Sequence, residues 1–249
     1  MKKIFLLLAA VSLSGCNFWE PFDGKKSTND LLELATKCLD DGDFACAINN
    51  YNSLPEGSLK EQKLCTAYLA KSGLTIDTLI NVVSEKDPSM LGRLAQALTP
   101  WNATQQSDAG SAVTACAAFA TYNPNDGTAA LLKSMSDLSH CGVLIAKTDQ
   151  YLGAFTGDTA CTTPGNDDGK ITQGDINQAG GTAPFMCDAD VIQCQNDLAA
   201  IDPTTLGILS QAGLTDIQSA IGLIPSDIRT SGAGIAAGRA AIVTTLPPS

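Results

Sequence analysis

Nine cysteines are strung along this chain, and they constrain its fold more than any other feature. An odd number cannot all pair within one molecule. Eight of them, Cys38, Cys46, Cys65, Cys116, Cys141, Cys161, Cys187 and Cys194, lie in the body of the chain, and Cys16 stands apart near its start. The tightest gap separates Cys187 from Cys194, no CxxC occurs, and His140 is the only histidine. A zinc site therefore has neither the ligand spacing nor the imidazoles it needs. In an exported chain the eight read as up to four disulfides, because export leads to an oxidising compartment. On the order of a hundred pairings are open to eight cysteines, and spacing does not choose among them.

Lys2 and Lys3 precede an apolar run from Ile4 to Val11. That run is too short for a bilayer core, which takes roughly 20 residues, and it fits the apolar segment of an export signal. Leu13-Ser14-Gly15-Cys16 follows and resembles the bacterial lipobox. The resemblance covers the first sixteen residues. It implies cleavage before Cys16, a diacylglyceryl thioether on its sulfur and acylation of the new amino group. Several acyl chains, at about 0.8 kcal/mol per buried CH₂, hold a protein stably on a membrane. Asn17, not Asp, comes next, so the residue that retains such lipoproteins at the inner membrane is absent. The implied place is the outer membrane, facing the periplasm or the cell surface. Cys16 thus accounts for the odd cysteine.

The expected organisation is a leader over 1–15, a lipidated tether over 16–28, a repeat-like helical region over 29–100 and an acidic, cysteine-containing helical region over 101–249. In the tether, Phe18, Trp19 and Phe22 either dip into the membrane interface or fold back on the domain. Hydrophobic residues make up 44% of the chain and aromatics only 5%, which points to a core of Leu, Ile, Val and Ala in packed helices. The formal charge of −11 becomes −13 when Lys2 and Lys3 leave with the leader. From residue 148 onward the basic groups are Lys170, Arg229 and Arg239, against eleven Asp and no Glu. Such a surface repels phosphate backbones and excludes nucleic acid as a partner.

Residues 29–54 carry the clearest periodicity. Ser27 and Asp30 form a capping pattern, and Leu31, Leu34, Ala35 and Cys38 fall on one helical face. Gly42 can take the left-handed conformation that ends such a helix. Phe44, Ala47, Ile48 and Tyr51 then share a face of a second helix. Leu31, Leu34, Ala35, Gly42, Ala47 and Tyr51 fall at the spacing of a tetratricopeptide repeat, which this helix–turn–helix resembles. Cys38 stands where that family has an aromatic residue. A poorer second unit over 62–84 has Ala67, Tyr68, Ala70 and Gly73, then Ile76, Leu79 and Val82 or Val83. The resemblance implies an all-α fold in which repeat-like hairpins form a groove for a protein partner.

Further along, a polar stretch over 99–108 predicts a break, 109–121 a helix around Cys116, and 131–145 a long helix holding His140 as a surface or core-edge residue. The last third reads as helices over 188–200, 203–212, 214–223 and 226–244. Residues 163–175 resemble an EF-hand calcium loop with Gly169 at its sharp turn. Asn166, Asp168, the Lys170 carbonyl, Thr172 and Asp175 would then supply oxygens. Pro164 at the first position and Asp175 in place of Glu depart from that pattern. Cys161 just before it is expected to pair with Cys187 or Cys194.

With one histidine and no nucleophile or phosphate-loop motif, the chain reads as a non-enzyme. Its expected role is that of an envelope lipoprotein, anchored through Cys16, that serves as a scaffold or assembly factor for another envelope protein. The alternative is a surface or periplasmic module binding calcium or a small ligand.

Overall fold

The computed structural model describes residues 26–74, 90–152, 161, 163–165, 167–176, 186–201, 203–211, 215–229 and 234–246. Cys16, the tether aromatics and the 76–83 part of the second repeat-like unit lie outside them. The described chain is all-α apart from one two-residue strand pair, as its composition predicts.

Helix α1 (Thr28–Asp40) begins at a reciprocal cap. Asp30 N–H donates to Ser27 Oγ over 3.2 Å, and Ser27 N–H donates to Asp30 Oδ2 over 3.0 Å. It ends at Gly42, whose φ of 74° lets Asp43 N–H reach back to the Cys38 carbonyl. Asp43 then caps α2 (Phe44–Asn52), accepting from Cys46 N–H over 2.9 Å. The hairpin is closed by the Cys38–Cys46 disulfide, so the cysteine that departs from the repeat pattern becomes a covalent tie. Leu31, Ala35, Ala47, Ile48 and Tyr51 are buried as their spacing predicts. Leu34 is not, at 36% exposure. Helix α1 packs chiefly on α2, so its apolar stripe is narrower than the sequence pattern suggests.

Helix α3 (Ser58–Lys71) lies along α5 (Ala103–Tyr122) in the most extensive helix pair of the fold. Buried Cys65 and Cys116 bridge the two. The break expected over 99–108 is shorter than expected. Asn102 caps α5 by accepting from Gln105 N–H over 2.8 Å, so the helix runs through the polar residues 103–108.

Helix α4 (Met90–Ala97) and the twenty-residue α6 (Gly127–Ala146) follow, and α6 is the axis of the molecule. It contacts α3, α4, α5, α8 (Asp188–Ala199) and α9 (Pro203–Gln211). Its Val143, Leu144 and Ile145 are buried on consecutive positions, which a helix manages only when it is enclosed on several sides. Gly142 permits the approach of α4, because a methyl group there would stand 2.9 Å from Leu94 Cγ.

Beyond α6, a 3₁₀ turn (Lys147–Asp149) leads into β1 (Tyr151–Leu152), antiparallel to β2 (Thr163–Pro164) with Tyr151 opposite Pro164. A short α7 (Gln173–Ile176), α10 (Thr215–Gly222) and α11 (Ile235–Val243) complete the described elements. The final helix is about half as long as the 226–244 expectation. Residues 226–229 form a turn instead, and the helix starts after Gly234, whose φ is 83°. Arg239 of α11 reaches Asp188 at the start of α8 over 2.6 Å, with both side chains buried. One hydrophobic core runs from Leu31 to Leu246, so the 29–100 and 101–249 regions share an interior. Among the described residues, no helix is long and apolar enough to cross a membrane.

Candidate functional site

All eight body cysteines pair: Cys38–Cys46, Cys65–Cys116, Cys141–Cys194 and Cys161–Cys187. Of the two partners open to Cys161 from sequence, the fold selects Cys187. Cys194 faces α6 and is taken by Cys141.

The calcium-like loop is held by hydrogen bonds within the protein. Gly169 is at a left-handed turn with φ of 75°, where the loop pattern places it. Its N–H donates to Asp149 Oδ2 over 3.0 Å, and Asp167 N–H donates to the Asp149 carbonyl over 2.8 Å. Asp168 Oδ1 accepts from Lys170 N–H over 2.9 Å. Asp175 Oδ2 accepts from both Thr172 N–H (2.7 Å) and Thr172 Oγ1 (2.8 Å). Asp168, Lys170, Thr172 and Asp175 thus share one loop, and Asn166 lies outside the described residues. Asp149, which sequence reasoning did not single out, organises the turn. Burial pushes its carboxyl upward, and the charges of Asp168 and Asp167 add to that, against the Gly169 hydrogen bond. Among the described residues, one further cluster of Cys, His, Asp or Glu side chains forms, Cys161, Cys187 and Asp190 within 4.8 Å of one another, and its two sulfurs are joined in a disulfide rather than free to bind a metal.

His140 turns inward. Its Nδ1 stands 2.9 Å from Asp197 Oδ2 on α8, at ion-pair distance though off the line of an N–H···O bond. It belongs to a polar seam between α6 and α8. Lys133 pairs with Asp137 over 3.0 Å and donates to the Ala200 carbonyl, Gln193 donates to Asp197, and Lys147 pairs with Asp190 over 3.0 Å. The Cys141–Cys194 disulfide sits within the same seam. Burial raises Asp137 to about 7, opposed by Lys133 and reinforced by Asp197. Burial raises Asp190 as well, against the opposing charge of Lys147. Positions 133, 137 and 140 fall on one face of α6 and 147 follows it, yet the groups on α8 and after it that they meet (Ala200, Asp197, Asp190) lie roughly 40 to 70 residues away, so the single sequence offered no signal for the seam.

A cleft of about 370 Å³ opens where the end of α3, the end of α4 and the start of α5 meet. Gly73 is required at its edge. Its φ is 94°, and a methyl group there would press on Gln105 Nε2 at 3.2 Å. Ser72 backs onto α6, 3.4 Å from Ser139 Oγ. Lys71 Nζ pairs with Asp108 Oδ1 over 2.8 Å across the cleft, and Gln105 Nε2 donates to the Leu98 carbonyl over 3.1 Å. Asp108 Oδ2 and Gln105 Oε1 are buried without a hydrogen-bond donor. Of these residues only Gly73 figured in the sequence pattern.

Comparison with protein-family models, with curated proteins and with solved structures finds no match for this chain.

Proposed function

We propose that this chain is a non-enzymatic lipoprotein of the outer membrane, anchored through acylated Cys16, whose helical body binds a segment of another envelope protein. The lipobox-like start and the four intrachain disulfides support an exported life. The observation that carries the binding reading is the α3–α4–α5 cleft, walled by the Lys71–Asp108 pair and Gln105 beside the exposed rim of Thr104. A partner segment bearing a basic side chain suits a cleft walled by the Asp108 carboxylate. The net charge of −11 favours the approach of a basic segment.

The test is photo-crosslinking in intact envelopes with the full-length lipidated protein, the crosslinker placed at Thr104 and, as control, at exposed Ile192 on α8. The expected result is one stoichiometric protein adduct from Thr104, absent from Ile192 and weakened by Asp108→Asn. Equal labelling from both positions overturns the cleft as the docking place. A Cys16→Ala form that still sediments with membranes overturns the anchor.

A second reading, calcium at the 163–175 loop, is favoured by Asp149, whose Oδ1 is buried without a donor beside the loop carboxylates Asp167 and Asp168. Calcium near millimolar concentration outside the cytoplasm suits such a site.

A further inference from the structure

The four disulfides do not share one environment. Cys65–Cys116 and Cys141–Cys194 are fully enclosed, with all four residues at 0% exposure. Cys38–Cys46 is half-buried and has Asn50 Nδ2 beside its sulfurs, at 4.0 Å and 3.6 Å. An amide neither gives nor takes a proton at neutral pH. Cys161–Cys187 differs in three respects that bear on one chemistry. Cys161 is partly exposed while Cys187 is buried, so an attacking thiol meets one defined sulfur. Cys187 is the N-cap of the twelve-residue α8, where the helix dipole stabilises a thiolate. Asp190 Oδ2 lies 3.0 Å from Cys161 Sγ and the same distance from Lys147 Nζ, so a buried acid and its cation stand at the reacting sulfur.

We infer that Cys161–Cys187 is an exchange-competent disulfide whose substrate is a dithiol, with Asp190 handling the proton at Cys161. The thiolate of an external dithiol attacks Cys161 Sγ and forms a mixed disulfide. The Cys161–Cys187 bond breaks, and its electron pair leaves on Cys187 Sγ at the start of α8. The second thiolate of the dithiol then attacks its own sulfur in the mixed disulfide and expels Cys161 as a thiolate, which takes a proton through Asp190. The dithiol ends as a disulfide and its two electrons reside on Cys161 and Cys187. One of its protons returns to Cys161 through Asp190, the other goes to solvent, and Cys187 stays a thiolate at the head of α8. Buried Asp190 suits the relay because burial raises its carboxyl, so it holds a proton at higher pH than an exposed aspartate. Reduction releases the segment before the calcium-like loop from the head of α8, while Asp149 still holds the turn.

The full-length protein is exposed to graded dithiothreitol under native conditions, quenched by alkylation at intervals, and its free thiols are mapped by peptide mass spectrometry. Cys161 and Cys187 are expected to become labelled together and first, with the other six protected. Asp190→Asn is expected to slow that opening by about tenfold or more and to flatten its pH dependence. Opening of Cys38–Cys46 first, or of all four bridges together, overturns the inference on the unmodified protein alone. An Asp190→Asn protein with wild-type helicity and an unchanged opening rate overturns the role of Asp190.

Discussion

Asp137 shows how a single residue couples this fold to pH. It is 1% exposed on α6, and desolvation raises it to about 7 despite Lys133 at 3.0 Å. In the unfolded chain the same carboxyl loses its proton near its ordinary value of 3.8. Between those two values the folded state binds the proton and the unfolded state does not. Folding stability from this group is therefore complete below about pH 4 and is lost as pH rises through about 7. The expected outcome is a melting temperature that falls between pH 4 and pH 7, by a free energy on the order of a few kcal/mol. The raised carboxyl of Asp190 acts in the same direction. Asp137→Asn, which keeps a neutral side chain of the same shape, should flatten that slope. Thermal melts of both proteins over this range check it, and equal slopes would remove Asp137 as the cause. Nothing local announces this residue, because a lysine four positions before an aspartate reads as an exposed helix pair. Burial of the pair is contributed by α8 and the Ala200 carbonyl.

At the scale of elements, the α3–α5 pair is the joint on which the N-terminal hairpins attach to the rest. Cys65 and Cys116 are fifty-one residues apart and meet with a Cα separation of 4.8 Å. A crosslink of that span removes denatured-state freedom equivalent to about 4 kcal/mol in the chain-entropy account. Replacing both cysteines by alanine should therefore lower unfolding stability by about 2–5 kcal/mol, read as an earlier denaturant midpoint. A midpoint within error of wild type would show that apolar packing of the two helices suffices. The helices themselves were largely legible. Ser27 with Asp30, the glycine at 42 and the apolar spacing of Leu31, Ala35, Ala47 and Tyr51 all act over a few residues, and each behaves as its pattern predicts. Leu34 departs because exposure depends on how many neighbours a helix acquires. The last helix departs because 226–229 turn and the helix starts afresh after Gly234, whose φ of 83° lies outside the helical region.

At the scale of the whole molecule, the 163–175 loop is linked to global stability from two sides. Asp149 ties its turn to the end of α6, and Cys161–Cys187 ties the preceding residue to α8. A cation bound there stabilises the entire fold by mass action, about 2.7 kcal/mol at a hundredfold excess over its dissociation constant. Under the calcium reading, millimolar calcium should raise the melting temperature of the protein, and Asp168→Ala should abolish the rise. A melting temperature indifferent to calcium removes the reading and leaves the loop as a hydrogen-bonded turn. Sequence by itself determined the helical class, the cysteine pairing as a principle, the caps and turns, and the lipobox-like start, since each depends on composition or on contacts within a few residues. Tertiary structure alone decided which cysteines meet, that His140 faces Asp197, that Asp190 stands beside Cys161, and that Lys71, Gln105 and Asp108 enclose a cleft. Those outcomes rest on helices packed from distant parts of the chain, and a single sequence records such long-range contacts only through the fold they produce.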